Sequence, residues 1–384
     1  MIETDTAVGA GIKLTCSRDE LVETSSLVAR AVSTRSAVQI LAGILLRVSS
    51  GNAELSATDM EVSIKASLTA DVESEGSVVV PGRVFLDAVR SLPVTGEKVE
   101  IEQASSEGMV EIRCGSASYR LNVYDAEDFP RLPELRRESA FKVDRAIFLE
   151  TAIRVARAAS HDESRPVLTG VLVQFETTAD PKQRKLVMVA TDSYRLAVKE
   201  TPLTGTAPDL AAIVPARALA ELGRIAQEGD EIELSLEENH AVFVTSRAML
   251  ATRRIDGQFP NYKQLIPETF AHSIKLPRLE FLDVVRRVAV MAQRTSPLRL
   301  RFEEGTLTVS AHTQDVGEAK ESVPVAFTGE PLEIGFNAEF LREGVEAVAG
   351  DEIELNLINP LRPGLLRAEG DGFWYLIMPI RLAG

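Results

Sequence analysis

One short motif is written twice in this chain, GDEIELSL at 229–236 and GDEIELNL at 350–357. Each copy is a Gly-acid turn followed by an alternating strand. Ile232, Leu234 and Leu236 are expected on one face, and Glu231, Glu233 and Ser235 on the other. A stretch with helical apolar spacing stands before each copy, PARALAELGRIAQE (215–228) and NAEFLREGVEAVA (337–349). A third version, PGRVFLDAVRSLPVTGEKVEIE (81–102), keeps the order helix, turn, strand. Pro81 and Pro215 suit a helix's first turn, where the missing N–H has no intrahelical acceptor to lose.

The repetition runs beyond these segments. Each copy opens with another helical stretch: SRDELVETSSLVARAVS (17–33), VDRAIFLETAIRVARAAS (143–160) and PRLEFLDVVRRVAVMAQ (277–293). Between the two helices lies a Thr/Ser-rich strand end: LSATDMEVSIKA (55–66), VMVATDSYRLAV (187–198) and LTVSAHTQDVGEA (307–319). A strand and Pro turn follow as YRLNVYDAEDFPRL (119–132) and LATRRIDGQFPNYKQL (250–265), and the third copy closes on WYLIMPIRL (374–382). Dividing 384 residues by three gives about 128, an ordinary domain size. Self-similarity at this length means tandem domains rather than a short-period solenoid.

The expected fold is therefore α+β: three tandem domains, each with two helices packed on antiparallel sheets. The expected boundaries are 1–139, 140–270 and 271–384, with linkers at PELRRESAF (133–141) and IPETFAHS (266–273) and a loose tail over 1–11.

Little in the chain points to catalysis. It has no Gly-rich phosphate loop and no zinc spacing among its two cysteines and four histidines. Acidic pairs such as Glu127–Asp128 and Asp351–Glu352 fall in turns, and Thr58–Asp59 recurs with the fold as Thr191–Asp192, as a structural turn would. No enzyme activity, cofactor or metal is expected; a hydrolase or ligand-binding protein on the same architecture finds no supporting feature. No stretch approaches the ~20 apolar residues of a membrane span. With only Cys16 and Cys114, a reducing, cytoplasmic setting is expected.

Net charge is −15, which taken alone opposes nucleic acid as a partner. The helices read differently. Arg145, Arg154 and Arg157 outnumber the acids of 143–160, and Arg278, Arg286 and Arg287 those of 277–293. Arg83 and Arg90 outnumber Asp87, and Arg217 and Arg224 outnumber Glu221. Two readings stand: an ordinary solvated helix face, or a polarised body whose helices face phosphate without reading sequence. Aromatics are 5% of the chain and do not interleave with the basic residues, which disfavours a single-strand stacking surface.

Three tandem copies, TDSYRLAV in the second, FPNYKQLIP at its end and the terminal MPIRL resemble the beta subunits of bacterial DNA polymerase III, the sliding clamps, from about Ile12 onward. The resemblance implies a head-to-tail homodimer, a six-domain ring lined by helices, which encircles double-stranded DNA and tethers the replicative polymerase. A paralogue specialised for repair or drug resistance is the alternative. It implies DNA contacts at Arg35 and Arg83, with Arg165 in the corresponding loop of the second domain and Arg217 on the helix 215–227. Pro166 and Val167 stand where some relatives have aromatics.

The resemblance further implies a groove for short peptide motifs of the polymerase, the clamp loader, other polymerases and repair proteins. Its lining would be Leu168, Thr191, Tyr194, Arg195, Leu196, Pro260, Leu265, Met378, Pro379 and Ile380, with Arg381 and Leu382 alongside. Gln264 replaces a basic residue of some relatives. Methionine suits a groove that accepts several partners. For the dimer seam, the resemblance implies Tyr119 and Leu121 against Ala289 and Val290.

Overall fold

The computed structural model describes residues 11–382 except 34–36, 50, 95–97, 104–107, 179, 181–182, 204–206, 293–295 and 315. Six α-helices occur among these residues: α1 (Arg18–Val28), α2 (Gly82–Arg90), α3 (Arg145–Ala156), α4 (Ala216–Ile225), α5 (Arg278–Ala289) and α6 (Ala338–Ala347). They fall two to a repeat, where the periodicity predicts them. Pro81 and Pro277 stand immediately before α2 and α5, while α6 is capped by Asn337, whose Oδ1 accepts from Phe340 N at 3.0 Å.

The strands pair antiparallel throughout. The chain divides into two compact units, Met1–Arg145 with Glu221–Arg254, and Ala146–Ala220 with Ile255–Gly384. This division does not follow the three repeats, because strands of adjacent repeats share sheets.

The first unit holds a five-stranded sheet and an eight-stranded one. In the larger sheet, Val62–Leu68 of the first repeat pairs with Ala248–Arg253 of the second, Ile64 opposite Leu250. The second unit holds another eight-stranded sheet and a four-stranded one. There Arg195–Leu203 pairs with Phe373–Ile377, Leu196 opposite Leu376.

Both units bury their helices' apolar faces. In the first, Leu21, Val28, Phe85 and Val89 of α1 and α2 are fully buried; in the second, Phe281, Val285, Leu341 and Val345 of α5 and α6 are. Each such side chain contributes about 1.5–3 kcal/mol on leaving water.

The twin motifs form the expected turns and strands. Gly229 and Gly350 adopt φ of +83° and +88°, a region open to glycine, and Ile232, Leu234, Ile353 and Leu355 are buried. One expectation is corrected. Ser235 is not outward and solvated but fully buried, donating to Glu237 Oε1 at 2.7 Å and bonded to Ser139 Oγ at 3.0 Å. The polar face of that strand is covered at its far end, so alternation alone misjudges it.

Candidate functional site

In the second unit, Val187, Val189, Leu196 and Val198 stand on one face of the eight-stranded sheet, joined by Leu365 and Leu376. The segment after Gly257 lies over part of this face through Phe259, Tyr262, Ile266 and Phe270. Tyr262 is buried, and burial pushes its hydroxyl up to about 12. Beyond the covered part, Tyr194 is 62% exposed, Leu265 51% and Met378 44%. These are among the large apolar side chains that the second unit leaves in water.

A tight turn presents Tyr194. Asp192 Oδ1 accepts from Tyr194 N at 2.9 Å and Arg195 N at 3.0 Å, and Thr191 Oγ1 donates to Arg195 O at 2.6 Å. Ser193 is held at φ +80°, strained for a residue with a Cβ. Met378 N donates to Tyr194 O at 2.8 Å, which joins the turn to the chain's last segment. That segment is anchored by Ile380 N donating to Gly335 O at 2.8 Å. Gly335 is required there, since a Cβ would stand 2.6 Å from Leu382 Cδ2 and 3.1 Å from Ile380 O.

The structure thus brings the expected groove residues into one unit. Leu196 and Thr191 are buried, Leu168, Pro379, Ile380 and Leu382 half-buried, and Pro260 and Arg381 exposed. Arg195 departs from the expected lining role. It is 6% exposed, with its guanidinium directed to Asp192, Glu343 and Tyr375.

Arg165, expected at the DNA, is exposed in this structure. It pairs with Asp162 at 3.1 Å and donates from Nη1 to Ser193 Oγ at 3.0 Å, beside the Tyr194 turn. The contributions of Phe259, Tyr262, Phe270 and Trp374 were missed in the sequence. Their signal was present, since a chain poor in aromatics gathers these four around one sheet face.

Of the other expected residues, Arg35 lies outside the described residues. Arg83 and Arg217 are exposed, each the second residue of its helix, α2 and α4. Other helix arginines make contacts within the protein. Arg145 donates to Gly229 O and Ala226 O, and Arg278 to Gly350 O, satisfying carbonyls at helix ends.

Arg157 and Arg286 pair with Glu346, and Arg287 with Glu321. Arg154 is 9% exposed; its Nη1 donates to Asp371 Oδ1 at 2.8 Å, and Lys199 Nζ lies 3.1 Å from the same oxygen. Burial alone would raise Asp371, but Arg154 and Lys199 outweigh it and hold its carboxyl at about 2.

At the expected seam, Tyr119 and Ala289 are half-buried, Leu121 is 8% exposed and Val290 is 77% exposed. No cluster of three metal-ligating side chains occurs among the described residues, and no described helix is long and apolar enough to cross a membrane.

Repeated α+β domains whose sheets fuse at their edges, with an apolar cluster beside one fusion, define a tandem-domain clamp architecture. Known proteins agree. Family models for the N-terminal, central and C-terminal domains of the DNA polymerase III beta subunit match residues 12–133, 142–261 and 263–381. A beta sliding clamp of Streptomyces coelicolor is 34% identical over 97% of this chain and 100% of its own length.

Among solved structures, a Caulobacter crescentus beta sliding clamp superposes with a TM-score of 0.90 at 30% identity, covering 97% of this chain and 100% of that one. A Pseudomonas aeruginosa clamp bound to griselimycin does so with a TM-score of 0.88 at 26% identity and the same coverage. The chain belongs to the DNA polymerase III beta subunit family, and its function is that of a sliding clamp in replication.

Proposed function

We propose that this clamp acts as a head-to-tail homodimeric ring around double-stranded DNA, without catalytic chemistry of its own and in the cytoplasm. One observation carries the reading. Two sheet junctions of the same kind occur within the chain, Val62–Leu68 with Ala248–Arg253 and Arg195–Leu203 with Phe373–Ile377. The repeats supply a third such pair of edges, Ala117–Asn122 at the rim of the five-stranded sheet and Gly317–Pro324 at the rim of the four-stranded one. Neither has a second neighbour among the described residues. A second copy offers each edge its missing partner, which removes an aggregation hazard and closes the assembly.

The helix ends support the same closure. Arg30, after α1, pairs with Glu221 at 2.7 Å, and Arg157, after α3, pairs with Glu346 at 3.1 Å. The equivalent residue after α5 is the exposed Val290. An apolar side chain there fits a seam with another copy better than it fits water.

Arg83 and Arg217 support DNA as the cargo. A cation in a helix's first turn opposes the macrodipole by about 0.3–1 kcal/mol, and a phosphate placed there satisfies both. Such contacts hold a duplex without reading its sequence, as sliding requires. The groove beside Tyr194 and Met378 is read as the docking site for short peptide segments of the replicative polymerase, the clamp loader, other polymerases and repair proteins. It is also read as the site for griselimycin.

Light scattering tests the ring. The wild-type chain is expected at twice the mass of one chain, and Val290→Asp as a monomer that fails to confer processivity on primed circular DNA. A monomeric wild type overturns the reading.

A further inference from the structure

Arg195 lies under the Tyr194 turn, and its surroundings are unlike those of its counterpart in the first unit. Its Nε donates to Asp192 Oδ2 at 3.0 Å, and its Nη1 donates to Glu343 of α6 and to Tyr375 Oη at 3.3 Å. Its guanidinium also stands over the Phe340 ring, 4.2 Å from the centroid. Tyr375 is fully buried and donates in turn to Phe340 O at 2.9 Å. The arginine therefore grips the turn at one end and α6 at the other.

The first unit builds the same turn without such a grip. Asp59 Oδ1 accepts from Glu61 N and Val62 N as Asp192 does from Tyr194 N and Arg195 N. Met60 adopts φ +77° where Ser193 adopts +80°. At the position of Arg195 stands Val62, 1% exposed, and at that of Tyr375 stands Leu250, also buried. The turn's backbone is thus compatible with an apolar residue at this position. Buried ion pairs add little net stability over well-packed apolar groups, so stability alone does not account for the arginine.

What distinguishes the second unit is the exposed apolar rim. Tyr194 precedes Arg195, and its carbonyl accepts from Met378 N. We propose that Arg195 is a positioning residue of the docking groove. It touches no docked peptide, but by tying Asp192 to Glu343 it fixes the Tyr194 turn against α6, so that Tyr194 and Met378 present a preformed edge. Preorganisation of this kind raises affinity by lowering the ordering cost of binding. The proposal rests on the docking reading of the groove given above.

Calorimetric titration of the full chain with griselimycin tests it. Arg195→Met retains bulk and imitates the apolar first unit. It strands the Asp192 and Glu343 carboxylates and is expected to unfold at a lower temperature while remaining folded at about 25 °C, and to bind about tenfold more weakly, the scale of one charge-assisted hydrogen bond. Arg195→Lys is expected to recover part of that affinity. Adding Glu343→Leu to Arg195→Met is expected to cost nothing more, because the two residues act as one link.

Trp374, the single tryptophan, stands on the groove's sheet face and reports its packing. Its emission is expected to stay unchanged in Arg195→Met. Wild-type affinity in Arg195→Met, or a loss accompanied by a red-shifted Trp374, overturns the proposal. Leu265→Asp is the contact control. If the wild type and Leu265→Asp both fail to bind, the docking reading itself falls, and the proposal with it.

Discussion

In the first unit, one face of the sheet carries Glu54, Ser56, Ser63 and Lys65; in the second, the matching places carry Val187, Val189, Leu196 and Val198. The backbone correspondence is close. Arg253 N donates to Glu61 O at 3.1 Å where Met378 N donates to Tyr194 O at 2.8 Å. The first unit even has a hollow of about 590 Å³ beside this turn, lined by Thr58, Met60, Glu61, Ser63, Pro130 and Arg253 among others. Its rim residues are Glu61 and Arg253, those of the second unit Tyr194 and Met378. The two turns share a backbone, and their side chains differ: polar around the first, apolar around the second.

The largest test of this contrast concerns buried charge. Asp371 serves two buried cations, Arg154 and Lys199, whereas the corresponding places of the first unit hold Ser246 and, opposite, Ala66. Asp371→Asn is expected to destabilise the chain by about 3–5 kcal/mol in urea unfolding followed by Trp374 fluorescence, since it strands both cations. Ser246→Ala is expected to change stability by about 0.5 kcal/mol or less. Equal effects would erase the contrast.

The same interaction sets a pH dependence. Asp371 has a folded value of about 2, below its ordinary 3.8. Its stabilisation is therefore complete above the ordinary value and is lost as pH falls from about 4 towards 2, a loss of about 2 kcal/mol.

A smaller effect concerns the grooves themselves. Leu265→Asp is expected to weaken griselimycin binding by about tenfold or more, as loss of an apolar anchor does. Leu135→Asp, at the matching place in the first unit, is expected to leave it unchanged. Comparable losses from both would mean that the polar hollow also takes ligand.

The smallest effect concerns the strained turns. Met60→Gly is expected to stabilise by up to about 1 kcal/mol, through relief of its positive φ. Ser193→Gly is expected to gain less, because it gives up the bond from Arg165. Thermal unfolding distinguishes the two.

The groove was legible in part. TDSYRLAV marks a turn and the strand after it, and MPIRL follows the last strand, Phe373–Ile377, with a single bridge at Ile380. The buried role of Arg195 was not legible, because nothing in its neighbourhood separates an arginine facing a ligand from one facing a helix almost 150 residues on, at Glu343. The helix arginines show the same limit. Their excess reads directly from the chain, yet Arg145, Arg154, Arg157, Arg278, Arg286 and Arg287 turn out to be engaged by carbonyls and carboxylates of the protein itself.

The sequence by itself determined the repeats, the six helices and the alternating strands, because the periods of helix and strand are local properties of the backbone. Tertiary structure alone decided which edges fuse, that the central repeat is divided between two compact units, and which charges are neutralised. Those outcomes depend on groups far apart in the chain, such as Arg154 and Asp371, and a carboxylate's partner is fixed only once the strands that carry it have met.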